Sequence, residues 1–124
     1  MPLGILPPLS GRVAPIGIKH RRGHELAVEE TNANGGIEAL GGTKLTMIDG
    51  DTQGNPNAGM SEVQKLARRD VVAIMGAHQS GVTFPTTQVA ERMGVPCIDP
   101  VAVADPITGG RGFRCILKVS PEAS

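Results

Sequence analysis

The chain has 124 residues with 12 basic and 12 acidic side chains, hence a formal net charge of zero, and a chain of that length forms about one domain able to bury roughly two-thirds of its unfolded surface. Apolar residues at 40% and charged residues at 19% argue against disorder, and the balanced charge argues against a non-specific nucleic-acid binder, which needs a concentrated basic surface. No apolar run approaches the roughly 20 residues that span a bilayer, and the first residues lack the basic start and apolar stretch of a signal peptide.

In chain order, strand-like and helix-like segments alternate. Leu3 to Leu6 is a short apolar run closed by Pro7-Pro8, predicting a buried strand that runs into the polar loop Leu9-Ser10-Gly11. From about Ile16 to Asn34 the spacing becomes helical, with Gly23, Leu26, Ala27 and Glu30 along one side and Asn34-Gly35-Gly36 as a stop. Lys44 to Asp49 alternates, a second strand with Leu45, Met47 and Asp49 on one face. Asn55-Pro56 reads as an N-cap followed by Pro at the first helical position, and Gly59, Val63, Leu66 and Ala67 form the buried stripe of a helix ending near Arg68-Arg69. Val71 to Met75 is a continuous apolar run, as in a strand covered on both faces. A helix from about Ser80 to Met93 follows, with Val82, Val89, Ala90 and Met93 on one side and Gly94 closing it. Val95 to Ile98 is a fourth strand. Phe113 to Val119 is a fifth, with Cys115 pointing inward alongside Phe113, Leu117 and Val119.

This order predicts an α/β fold: a doubly wound parallel sheet of four or five strands with right-handed crossovers and helices on both faces. Ligands of such sheets bind beyond the carboxyl ends of the strands. The loops that matter are therefore Pro7 to Pro15, Gly50 to Asn55, Gly76 to Ser80 and Asp99 to Thr108.

Several motifs carry little chemistry. Gly36-Ile37-Glu38-Ala39-Leu40-Gly41 follows a helix and has Gly42 where a phosphate loop needs Lys. His20 and His24 lie four apart on a helix with no third ligand, which fits a solvated face better than a metal site. Cys97 and Cys115 are too few for a disulfide framework and lack metal-ligand spacing. With no Trp, no Tyr and only Phe84 and Phe113, the chain by itself builds no aromatic stacking platform. Asp49 and Asp51 close a strand and raise the alternative of an acidic phosphoacceptor or enzyme pocket, against turn and capping work for the pair. No cofactor or metal is expected.

The strongest local signal is Gly76-Ala77-His78-Gln79-Ser80-Gly81-Val82-Thr83. A small-residue loop between a strand and a helix leaves first-turn N–H groups pointing outward, where the helix dipole favours an anion such as a carboxylate. Ser80 either adds a hydroxyl to that anion site or caps its own helix.

Leu9-Ser10-Gly11, Gly17, Glu29-Glu30-Thr31-Asn32-Ala33-Asn34-Gly35-Gly36-Ile37, Asp51-Thr52-Gln53-Gly54-Asn55-Pro56, Gly76 to Thr83 and Gly94-Val95-Pro96 form an ordered succession. That succession resembles the periplasmic binding proteins of the leucine/isoleucine/valine type, the substrate-capturing subunits of ABC importers. The resemblance covers nearly the whole chain and implies the type I fold, in which two doubly wound lobes joined by a hinge hold a small solute. Members of that family are roughly two to three times longer, so residues 1–124 correspond to an incomplete N-terminal lobe, with the hinge and second lobe absent and an open sheet edge.

By that resemblance, Ser80 matches the serine whose hydroxyl binds the solute carboxylate, and His78 and Gln79 adjoin it. Val101, Ala102 and Val103 lie in the segment that supplies backbone groups and usually a threonine. Ile16 stands where some members place a tyrosine. The implied function is an extracytoplasmic, periplasmic binding component with no enzymatic activity, serving transport or ligand sensing. Its partners would be a small carboxylate solute, an amino acid or an aromatic or organic acid, and the membrane subunits of an importer. The open edge and missing lobe further predict self-association.

Overall fold

A computed structural model describes residues 1–77, 79–99 and 114–118. Strands β1 (Pro2–Ile5), β2 (Thr46–Asp49), β3 (Ile74–Met75), β4 (Cys97–Asp99) and β5 (Ile116–Lys118) alternate with helices α1 (Ala14–Ala33), α2 (Pro56–Arg68) and α3 (Ser80–Met93), and a 3-10 turn at Glu38–Leu40 precedes β2. The sheet is wholly parallel in the order β2-β1-β3-β4-β5. The chain therefore leaves β1 in one direction to reach β2 and returns on the other side of β1 for β3. The doubly wound expectation is met.

Strand register separates two rows of side chains, because neighbours along a strand face opposite ways. One row, Ile48, Gly4, Ile74, Cys97 and Ile116, runs across all five strands. Its large members join Leu6, Val63, Leu66, Val71, Val89, Ala90 and Val95 in the hydrophobic core beneath α2 and α3. Burial pushes the Cys97 thiol up to about 12, with the Asp99 charge adding to the effect, so this cysteine behaves as a small core hydrophobe. The other row, Asp49, Ile5, Met75, Ile98 and Leu117, faces the opposite way. There α1 covers the β2 end through the ion pair Arg21 Nε to Asp49 Oδ2 at 2.7 Å, and Leu117 at the far end is 58% exposed.

Local chemistry fixes the helix ends. Asn55 caps α2 by accepting from Asn57 N at 2.8 Å and Ala58 N at 3.3 Å, with Pro56 at the first helical position, and Gly59, Val63 and Leu66 are buried as expected. At the far end of α3 the Glu91 carboxylate accepts from Arg114 N and Cys115 N at 2.8 and 2.7 Å, which hold it below the ordinary range and tie β5 to the helix.

Four expectations need correction. The α1 stripe of Gly23, Leu26, Ala27 and Glu30 lies in solvent, with Leu26 53% exposed. The inner side instead carries buried Gly17, Arg21 on Asp49, and Asn32, which exchanges two 2.8 Å hydrogen bonds with the Leu45 backbone. Polar anchoring thus replaced the apolar stripe. Val71 to Met75 is not covered on both faces: only Ile74–Met75 pairs as strand, and Val72 is exposed. Met93 is 43% exposed, and buried Thr83, Thr86 and Thr87 complete the stripe of Val82, Val89 and Ala90. In β5 it is Ile116, not Leu117, that packs on the core, because parallel register sets it beside Cys97. Phe113 and Val119 lie outside the described residues.

Helix α1 sits so close to the turn after β1 that a Cβ on Gly17 would stand 1.9 Å from the Pro8 carbonyl oxygen, whereas one on Gly23 would meet nothing within 4 Å. Gly17→Ala is expected to destabilise by about 1–3 kcal/mol and lower the thermal midpoint by roughly 5–15 °C. Gly23→Ala in the same helix is expected to stabilise by about 0.5–1 kcal/mol. Thermal denaturation of the two variants side by side checks both; equal midpoints would show that α1 does not pack as described.

Candidate functional site

In an open parallel sheet the crevice forms where connections from two neighbouring strands leave in opposite directions. Here that point lies between β1 and β3, and three loops converge on it: Leu6 to Val13 after β1, Gly50 to Asn55 after β2 and Gly76 to Gln79 after β3. Backbone hydrogen bonds carry the sheet into these loops, with Leu6 N donating to Met75 O at 3.0 Å, Gly50 N to Ile5 O at 2.8 Å and Thr52 N to Pro7 O at 3.1 Å.

Asp51 binds the first two loops together. Its Oδ1 accepts from Leu9 N at 2.7 Å, Gln53 N at 2.8 Å and Ser10 N at 3.3 Å, and its Oδ2 accepts from Ser10 Oγ at 2.7 Å. Burial alone would raise the Asp51 carboxyl; the Ser10 hydroxyl and the N–H groups of Gln53, Leu9 and Ser10 outweigh it and hold the group below the ordinary carboxylate range. Asp49 is taken by Arg21. The two aspartates therefore do separate structural work instead of sharing an acidic pocket, and among the described residues no group of three or more His, Cys, Asp or Glu is placed to hold a metal.

Between the loops lies a cavity of about 520 Å³ lined by Arg12, Val13, Gln53, Gly54 and Gln79, within the range of small-molecule sites. Gln53 adopts φ 55° and Gly54 φ 67°, a left-handed pair that turns the second loop under the cavity. A Cβ at Gly54 would stand 3.1 Å from Gln79 Oε1 and 3.5 Å from Val13 Cγ2, so the left-handed φ, more than lack of space, favours glycine there. Gln79 Oε1 is buried and has no hydrogen-bond partner among the described residues.

The expected site residues divide three ways. Gln79 lines the cavity and is the N-cap residue of α3, without a side-chain capping bond. Ser80 is the first residue of α3 and half-buried, one position inside the N-cap residue Gln79. Ile16 lies in the first turn of α1, 45% exposed and outside the cavity lining. His78, Val101, Ala102 and Val103 lie outside the described residues. Arg12, Val13, Gln53 and Gly54 were not singled out from sequence; only their position in loops beyond strand ends pointed to them. His20 and His24, expected on a solvated face, are half-buried, and burial, followed by the charge of His20, lowers His24.

This sheet order and the crevice at its switch point define a binding fold of the doubly wound class. The chain belongs to the periplasmic binding protein family, whose profile matches residues 1–122. It is 38% identical over 122 residues to the Leu/Ile/Val-binding protein homolog 7 of Brucella abortus, a match that takes in 98% of this chain and 29% of the relative. Among solved structures it is similar to the branched-chain amino acid transporter substrate binding protein LivJ of Streptococcus pneumoniae in complex with isoleucine, with TM-score 0.88, 29% identity and coverage of 98% of this chain and 34% of that one. The solute binding protein of an ABC transporter from Rhodopseudomonas palustris, in complex with 3,4-dihydroxybenzoic acid, has TM-score 0.83 at 20% identity over 98% of this chain and 32% of that one, a likeness of fold alone. The chain thus spans about a third of the length of these relatives.

The Asp51 knot has a pH signature. A carboxyl held low in the folded state contributes stability that is fully present above its unfolded value, near 3.9, and is lost as pH falls through the lower folded value. Thermal midpoints recorded from about pH 6 down to pH 2.5 are expected to fall more steeply below pH 4 in the natural chain than in Asp51→Asn. Parallel curves would show that Asp51 does not tie the loops.

Proposed function

We propose that this chain is the N-terminal ligand-binding lobe of an extracytoplasmic solute-binding component of an ABC importer. In this reading it captures a small carboxylate-bearing solute, an amino acid or an aromatic or organic acid, in a cleft completed by a second lobe. The observation that carries the reading is the cavity at the β1/β3 switch point, walled by three strand-end loops and abutting the start of α3. A helix N-terminus favours an anion through its dipole and first-turn N–H groups, and Ser80 stands there. The isoleucine held by the Streptococcus pneumoniae relative is a solute of this kind. The role is binding without catalysis: Asp49 and Asp51, the carboxylates that would have served a phosphoacceptor or enzyme, are engaged by Arg21 and by the loop backbone. Partners of the whole protein would be the importer's membrane subunits, and its location periplasmic.

Two measurements test the reading. Backbone-amide NMR titration of the 124-residue chain with L-isoleucine and with 3,4-dihydroxybenzoate is expected to give shifts concentrated at residues 52–54 and 79–82, with weak affinity because one lobe encloses only half the solute. Ser80→Ala should weaken the binding about tenfold, one charge-assisted hydrogen bond. Shifts confined to other surfaces would overturn the site. The open row ending at Leu117 further supports self-association; sedimentation at high concentration is expected to show dimers or larger species, and a clean monomer refutes it.

A further inference from the structure

Helix α1 carries two histidines about one turn apart, His20 and His24, and neither lies fully in solvent: both are half-buried on the helix that Arg21 anchors to Asp49. We propose that His20 and His24 chelate a transition-metal dication of the Zn²⁺, Ni²⁺ or Cu²⁺ class, with one ring nitrogen from each and water in the remaining positions. The site lies outside the cavity lining and is independent of the function proposed above.

Side chains four apart on a helix stand on one face with Cβ atoms about 5–6 Å apart, the spacing at which two helical histidines hold a single Zn²⁺. Burial first, and then the charge of His20, hold His24 below the ordinary histidine range. Its ring is therefore neutral near pH 7, and a metal finds the lone pair without displacing a proton. Each imidazole has two nitrogens, so a ring that gives one to the metal keeps the other for a bond that fixes its tautomer and orientation. Imidazole also decides the class of ion: it suits Zn²⁺, Ni²⁺ and Cu²⁺, whereas Mg²⁺ and Ca²⁺ want oxygen ligands.

The neighbouring charges do not oppose a cation. Arg21 pairs with Asp49 at 2.7 Å and with Glu25 at 3.3 Å, and Arg22 pairs with Glu25 at 3.5 Å, so the two arginines between the histidines face two carboxylates. Two protein ligands are fewer than the four of a structural zinc site, and no group of three His, Cys, Asp or Glu exists among the described residues; the coordination is open and the ion exchanges readily. Its effect follows from how α1 is held. The helix has no side-chain capping bond, no acid in its first turn and no base in its last, and its Ile18 and Leu26 are 54% and 53% exposed. A chelate across one turn fastens a helix that its own ends leave weakly held, and binding to the folded chain alone raises stability.

The test uses the 124-residue chain with NiCl₂ and ZnCl₂ as probes. In amide NMR, paramagnetic Ni²⁺ below one equivalent is expected to broaden the signals of residues 20–24 before any others, and calorimetry with Zn²⁺ to give one ion per chain. With Zn²⁺ at hundredfold excess over its dissociation constant the thermal midpoint should rise by roughly 10 °C, and Mg²⁺ should not move it. His20→Gln and His24→Gln should each weaken Zn²⁺ by about tenfold or more, and the double variant should lose the thermal shift, with spectral dispersion before metal is added reporting that each variant is folded. An unchanged affinity in either single variant, or Ni²⁺ broadening that starts around another residue, overturns the pair as ligands. A natural chain that binds no Zn²⁺ overturns the site outright.

Discussion

The structure depends on β1 being held in parallel on both sides at once. Its four residues pair with β2 along their whole length, and its last two also pair with β3. Because the helices that follow these strands must lie on opposite faces, the loops after β1 and β3 part company above the sheet. The cavity is the space left by that parting. A sheet in simple sequential order would have laid successive loops side by side and left no such gap.

What makes the gap a defined site is polar work around its edge. The Asp51 carboxylate gathers backbone N–H groups from two loops, Thr83 Oγ1 donates to Ala77 O at 3.0 Å to pull the start of α3 against the third loop, and Gly54 N donates to Thr52 Oγ1 at 3.3 Å inside the second. None of these bonds belongs to a regular element, yet each removes freedom from a segment that would otherwise move on its own. A loop-built site of this kind exchanges the rigidity of strands for freedom in choosing side chains, and the rigidity is restored by a few well-placed acceptors.

Much of the fold was legible because its signals were local. Asn55-Pro56, Gly94 and the period of Val63 and Leu66 each state their element without outside help, and helices α2 and α3 stand where those signals put them. What misled was surface whose partner is polar or distant in sequence. Leu26 fitted a helical stripe but lies in solvent, since Arg21 and Asn32 hold α1 in place by an ion pair and backbone bonds that no hydropathy pattern records. Leu117 and Ile116 could not be told apart by alternation; only pairing with Cys97 decides which of them faces the core. For the site, the family resemblance and the helix start drew attention to Gln79 and Ser80, whereas Arg12 and Gln53 were reachable only as members of strand-end loops. Their convergence is a property of sheet order, which spans 67 positions of sequence between Arg12 and Gln79 and leaves no local trace.

The contact between α2 and α3 has a mechanical consequence. A Cβ on Gly59 would meet Thr86 Cγ2 at 2.8 Å and Val82 Cγ1 at 2.9 Å, so side chains of α3 rest directly on the α2 backbone, and interiors packed this tightly move as blocks instead of deforming. Gln79 rides on the start of one helix, and Gln53 with Gly54 leads directly into the other. Two walls of the cavity therefore belong to one stiff body. The third, carrying Arg12 and Val13, leads into α1, whose Gly17 lies against the Pro8 carbonyl, and Asp51 ties the loop before it to Gln53. All three walls are thus fastened to one another, and a change made in one loop is felt by the other two.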